Sequence, residues 1–314
     1  MPRSPGLGYA FISLAAVLWG IIGLITGYVF AAGATPLTYA ALRPALSAVL
    51  IFLAIAVIRP RLLRVRVRDI AFFALFGLVS IGVFYFCLFY AVQKTSVTVA
   101  WILLYTAPAY VVVLSRVFLH EPITRVKWLS LVLTVVGSAL VSGVYDLSGT
   151  ELNGLGIAAG LMAGLTYGLY SFFGRKANER YDTWTSLLYS FAFGSLFLLA
   201  LWFPTAGTQV AVAVKIWPLL LATTVISTIV PYGLYLYGLT MVETGKASIT
   251  ANLEPVTAML LAYFVLRERV SWIQFGGAAL VIGGVVAIQL SDIIAGGRRR
   301  RAERGAESKR GVGP

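Results

Sequence analysis

Ten apolar stretches follow one another along this chain, each about as long as the ~20 residues a helix needs to cross a bilayer. They lie at about 7–29, 37–58, 69–91, 95–118, 126–143, 153–174, 183–203, 214–239, 246–266 and 271–290 of the 314 residues. In hydrocarbon every backbone N–H and C=O must be satisfied within the chain, so only helices or closed barrels span it. Runs of this length read as helices rather than strands. With 59% hydrophobic and 12% charged residues, too few charges remain to cover a water-soluble globule. A single Cys and the long apolar runs also exclude a disulfide scaffold, collagen and intrinsic disorder. The chain is therefore read as an all-α polytopic membrane protein. The first stretch is too long for a cleaved signal and lacks a small-residue cleavage site, so it is expected to be a span. Residues 298–314, RRRRAERGAESKRGVGP, are expected to form a basic, disordered tail.

The net charge of +13 is read first as topology. With both termini placed in the cytoplasm, 20 Lys and Arg fall on the inner side. They include the five Arg at 59, 61, 64, 66 and 68 and seven in the tail. Four, Lys94, Lys215, Arg267 and Arg269, fall outside, and Arg43 lies within the second span. Cytoplasmic loops carry the excess of cations, so both termini are expected to be cytoplasmic, in the cell's inner (plasma) membrane. The tail then reads as an anionic-lipid contact rather than a nucleic-acid site.

The halves repeat. Adding 147 to positions 85–137 lands on ten identical residues, among them Tyr85/Tyr232, Pro108/Pro255, Glu121/Glu268 and Gly137/Gly284. The Pro-x12-Glu spacing is the telling part, because both residues are scarce in apolar helices. A one-residue shift also aligns Gly8-x11-Gly20 with Gly156-x11-Gly168, placing Trp19 opposite Tyr167. The expected division is 1–148, 149–297 and the tail 298–314. Five spans per half is odd, so the second half should insert upside down. Inverted repeats are the signature of alternating-access carriers, though a channel can share the symmetry.

The stretches PAYVVVLSRVFLHEPITRVKWLSLVLTVVGSAL and PVTAMLLAYFVLRERVSWIQFGGAALVIGGVVAI, each in the fourth and fifth spans of a half, resemble the drug/metabolite transporter superfamily, EamA type. That resemblance covers all but the tail. It implies two five-helix repeats and export of small metabolites. The chain is most similar to the YddG-type exporters of aromatic amino acids. His120 and Pro122 flank Glu121, whereas Arg267 and Arg269 flank Glu268, so the two loops should behave differently.

The candidate site follows from the breaks. Pro108 and Pro255 each remove a backbone donor mid-span, and paired breaks in corresponding spans point to a transporter's binding site; a kink used only for packing is the alternative. Trp101, Tyr105 and Pro108 share a helical stripe, with Ser248, Asn252 and Pro255 equivalent in the ninth span. Trp19, Tyr167, Tyr85 and Tyr232 are expected to complete an aromatic wall, with core packing or an interfacial belt as the alternative for each. Two charges lie within spans. Arg43 suits a substrate carboxylate. Glu254 suits an ammonium group or a coupling proton. Pairing that serves the fold is the alternative for each charge. On an ideal helix Glu254 points about 200° from Asn252, so both share one cavity only if Pro255 distorts the turn.

Cys87 reads as a small core residue and His120 as a loop residue. The sequence gives no phosphate loop, Cys/His cluster or Ser-His-Asp arrangement, so no cofactor, metal or enzymatic activity is expected. Small residues at 134, 137, 138 and 142, and at 276, 283 and 284, should bring the fifth and tenth spans close, within one chain or between two copies. The leading reading is a secondary transporter exporting neutral or aromatic amino acids, as a monomer or homodimer. A general drug or amphiphile exporter is the alternative. A membrane-embedded lipid enzyme or a channel is more remote.

Overall fold

A computed structural model describes residues 5–147 and 153–310, with the backbone alone for 295–310. The described residues hold helices and no strand. Nine spans reach 18 residues or more. They are α1 Pro5–Ala31, α2 Pro36–Ile58, α3 Val67–Lys94, α4 Val97–Phe118, α6 Gly154–Asn178, α7 Thr183–Thr205, α8 Trp217–Gly238, α9 Thr244–Val265 and α10, whose apolar part is Trp272–Ile294. Between α4 and α6 runs α5, Arg125–Val141, of 17 residues. At 1.5 Å per residue it is about 26 Å long, within the crossing range. Large apolar side chains such as Phe52, Val57, Leu196 and Val286 face outward, as lipid-facing surfaces require. The chain is a multi-pass integral membrane protein.

One numerical offset relates the halves in structure as in sequence. α4 begins at Val97 and α9 at Thr244; α5 begins at Arg125 and α10 at Trp272. α3 carries a π-helical segment, Leu78–Val83, and α8 carries its equivalent, Val225–Ile229. Positive φ occurs at His120 (57°) and at Arg267 (58°), each closing its helix. The packing obeys the same exchange. α1 lies on α8 and α9 as α6 lies on α3 and α4, while α2–α7, α4–α9 and α5–α10 pair across the halves. Glycines permit the closest crossings. A Cβ at Gly8 or Gly20 would strike Val242 or Thr257 at 2.6 and 2.7 Å, and one at Gly156 or Gly168 would meet Thr95 or Val111 at 2.7 and 3.0 Å.

Two expectations change. The tail is helical in backbone to Arg310, continuing α10; Arg, Ala, Glu and Lys favour helix, and no proline intervenes before Pro314. Residues 311–314, Arg3 and the 148/149 boundary lie outside the described residues. In the α5–α10 contact, Gly137 and Gly284 are buried as expected, but Gly276 and Gly283 face open space. Gly277 takes the contact instead, one residue around the helix. These crossings are within the chain.

The start of α1 and the end of the apolar part of α10 meet at one end of the bundle, where Tyr9 Oη donates to Asp292 at 2.8 Å. That end, called here the terminal end, carries a chain of ion pairs. Lys127 meets Glu243 at 2.6 Å and Glu121 at 3.6 Å, and Lys246 bridges Glu243 and Asp292. Lys127 is 1% exposed. At the opposite end Gln209 ties the α1–α2 turn, accepting from Thr35 N and Thr38 Oγ1.

Candidate functional site

The two broken helices build the centre. α4 is interrupted at Tyr105 and α9 at Asn252, positions related by the same offset. Each break lies three residues before its proline. A proline at position i cannot donate to the carbonyl at i−4 and crowds it. The ladder therefore fails at Leu104 and Ala251, and a fresh helix begins at Ala107 and at Leu253. In α4, Pro108 occupies the first turn of the new segment, where a missing N–H costs least.

Between the breaks lies a cavity of about 10 Å³, enough for a water-sized body. Trp19, Tyr105, Tyr167, Tyr170 and Tyr235 form its aromatic walls; Ser171, Ser248, Asn252 and Glu254 supply polar edges, and Pro108, Gly168 and Ala251 fill the rest. Trp19 anchors the wall, edge-on to Tyr167 at 6.4 Å and to Tyr232 at 5.0 Å. Ser171 and Tyr235 share a 2.7 Å hydrogen bond.

Two buried N–H donors at this cavity, Trp19 Nε1 and Asn252 Nδ2, have no partner among the described residues. Leaving a buried donor unmade costs about 1–3 kcal/mol. Arg43 adds more. It is 3% exposed, its guanidinium lies 5.1 Å from the centres of the Tyr39 and Tyr85 rings, and Nη2 donates to Tyr85 Oη. Its Nε and Nη1 have no partner among the described residues. Among the described residues Arg43 makes no ion pair, yet Glu254 and Tyr232 lie within its electrostatic reach.

Of the residues singled out from sequence, Trp19, Tyr105, Pro108, Tyr167, Ser248, Asn252 and Glu254 meet at the cavity. Glu254 and Asn252 share it because the helix breaks between them and its phase is reset. Arg43, Tyr85 and Tyr232 stand behind the lining as a buried layer, and Pro255 is buried in α9. Trp101 is displaced from the wall: the stripe with Tyr105 ends at the break, and Trp101 packs tilted on Tyr105 at 5.8 Å. Tyr170, Ser171 and Tyr235 were missed. Each is three or four residues from an aromatic already chosen, Tyr167 or Tyr232, so extending those stripes by one helical turn finds them. Among the described residues no His, Cys, Asp and Glu cluster fit to hold a metal occurs.

A family model for the EamA-like transporter family matches twice, at residues 6–143 and 154–290. A transporter of Archaeoglobus fulgidus is 32% identical over 198 residues, covering 62% of this chain and 68% of that protein. The threonine/homoserine exporter RhtA of Escherichia coli is 27% identical over 223 residues, 70% of each chain. A solved crystal structure sharing 17% identity superposes with a TM-score of 0.72 over 92% of this chain and 98% of its own, a likeness of fold.

Proposed function

The chain belongs to the EamA-like transporter family, and from that premise we propose that it exports neutral amino acids by alternating access, aromatic ones included. The observation carrying this reading is the set of partnerless buried donors beside a carboxylate in an aromatic-walled cavity between two broken helices. An α-amino acid answers that pattern. Its ammonium suits Glu254, and its carboxylate suits Asn252 Nδ2 and Trp19 Nε1 within the positive field of Arg43. Its side chain would pack on Tyr105, Tyr167 and Tyr170. The small cavity fits a closed state that must widen to take a solute.

Five helices in each half make the second copy upside down, so exchange of the two halves' conformations would open the site to each side in turn. The terminal end is assigned to the cytoplasm of a plasma-membrane protein by the cation excess there. The name of the Escherichia coli relative favours a second reading, in which small hydroxylated amino acids are the main cargo.

The test is counterflow in proteoliposomes, with labelled phenylalanine outside and unlabelled phenylalanine, threonine, homoserine or leucine inside. Trans-stimulation by amino acids is the expected result. A channel or scaffold gives none, and exchange of lipophilic cations without amino acids would point to a drug exporter instead. Repeating the assay with an imposed pH gradient separates proton-coupled movement from facilitated diffusion.

A further inference from the structure

Glu121 does something that the ion pairs around it do not require. It reaches from the loop after α4 and accepts from the first two backbone N–H groups of α9, Thr244 N at 2.6 Å and Gly245 N at 3.0 Å. One carboxylate of the first half thus caps the broken helix of the second. These N–H groups have no intrahelical acceptor, and the helix N-terminus favours a negative charge. The contact crosses the seam between the halves at the terminal end.

The offset of 147 assigns each partner a counterpart at the opposite end. Glu121 becomes Glu268, and Thr244 and Gly245 become Val97 and Thr98, the first residues of α4. Both loops are already shaped alike. Glu121 N donates to Ser115 O and Glu268 N to the equivalent Ala262 O, each just after its positive-φ residue. Their side chains differ. Glu268 is exposed and has no side-chain partner among the described residues. One latch is engaged and its twin is released.

We propose that Glu121 and Glu268 are reciprocal latches. Glu121 caps α9 when the terminal end is closed, and Glu268 caps Val97 and Thr98 of α4 when the opposite end is closed. This rests on the alternating-access reading above. The ends are unequally held. Lys127, which braces Glu121, has Gln274 as its counterpart, and Gln274 is spent on Ser271 N and Val141 O. Glu243 and Lys246 correspond to Ser96 and Val99, so no equivalent ion chain forms. The terminal-closed state is therefore the resting one.

The test uses the full chain in a Cys87→Ser background with Ala251→Cys as a reporter lining the cavity. A membrane-impermeant maleimide is applied from the terminal side of oriented vesicles. Glu121→Gln should raise the labelling rate about tenfold, the scale of a lost charge-assisted hydrogen bond, and Glu268→Gln should lower it. Thr244→Pro and Val97→Pro remove the receiving N–H at a position where helices accept proline. They should reproduce Glu121→Gln and Glu268→Gln respectively, and they serve if a glutamate variant is not monodisperse. Labelling that moves in one direction in both glutamate variants, or in neither, overturns the latch. Amino-acid counterflow is measured alongside. Reciprocal labelling without counterflow upholds the latch and sinks the cargo assignment, whereas counterflow without reciprocal labelling sinks the latch alone.

Discussion

Adjacent glycines on α10 should respond to the same substitution with opposite signs. A Cβ at Gly276 meets nothing within 4 Å, whereas one at Gly277 would lie 2.8 Å from Gly137 O and from Leu140 Cβ, and 2.9 Å from Val141 N. Two of those three atoms are backbone of α5, so relief requires the helices to separate. Gly276→Ala should stabilise by about 0.5–1 kcal/mol through the helix propensity gained. Gly277→Ala receives the same gain but incurs overpacking of about 1–3 kcal/mol. The two variants should then differ by about 1–3 kcal/mol, or roughly 2–6 °C in melting temperature at ~2 °C per kcal/mol for a chain this long. Thermal unfolding of detergent-solubilised protein, followed by loss of the monodisperse peak, reads this out. Gly283 and Gly284 repeat the design, since the first is open and the second abuts Ser130 O at 2.9 Å. A Gly276→Ala protein melting at or below Gly277→Ala would refute the packing argument.

At the cavity, Trp19→Phe keeps an aromatic ring and removes the partnerless N–H, so it should raise the apparent KM for every amino acid by about tenfold, the scale of one hydrogen bond to a charged group; Trp101→Phe, off the wall, should leave KM unchanged in counterflow titrations, and an equal effect from both would remove Trp19 from the site. The terminal-end ion chain should show a defined acid limit. Burial raises the Glu243 carboxyl, but the hydrogen bonds from Lys127 and Lys246 outweigh burial and hold it below its usual range. A depressed carboxylate stabilises above its unfolded value of about 4.3 and loses that contribution as pH falls through the lower folded value. Melting temperature should thus be flat from pH 7 to about 5 and fall below about 4.3, and Glu243→Gln should be less stable at pH 7 with a shallower acid slope. An unaltered slope would show that the pairing carries no stability.

The spans were legible because hydrocarbon imposes a single requirement on every residue crossing it, and α2, α4 and α7 begin or end where the apolar runs do. The repeat was legible because Pro-x12-Glu is improbable in such composition. What sequence could not give was helical phase across a break. An ideal helix turned Glu254 away from Asn252 and put Trp101 in the cavity wall with Tyr105; with the helices interrupted at 105 and 252, Glu254 and Asn252 share the cavity and Trp101 packs on Tyr105 outside its lining. The task of Glu121 was hidden for another reason. Its donor partners are backbone groups 123 and 124 residues away, and backbone N–H groups leave no trace in residue identity. Tyr170 and Tyr235 were overlooked although one more turn along each stripe reaches them.

The paired π segments have a consequence for how this protein tolerates insertions and deletions. A π turn widens the helix and accommodates one residue beyond the α repeat. The two segments begin at positions related by the offset of 147, which continues beyond them at Tyr85 and Tyr232, so both halves carry the extra residue. Removing one residue from the first segment would let α3 run as an ordinary helix, and everything beyond would rotate by about 100° and retreat by about 1.5 Å. Tyr85, two residues past the segment, would swing away from Arg43 and leave the guanidinium with no hydrogen bond at all. The partnership behind the cavity thus depends on residue count as strictly as on residue type. A one-residue deletion there would act like a frameshift within a single helix, leaving composition intact and meaning scrambled.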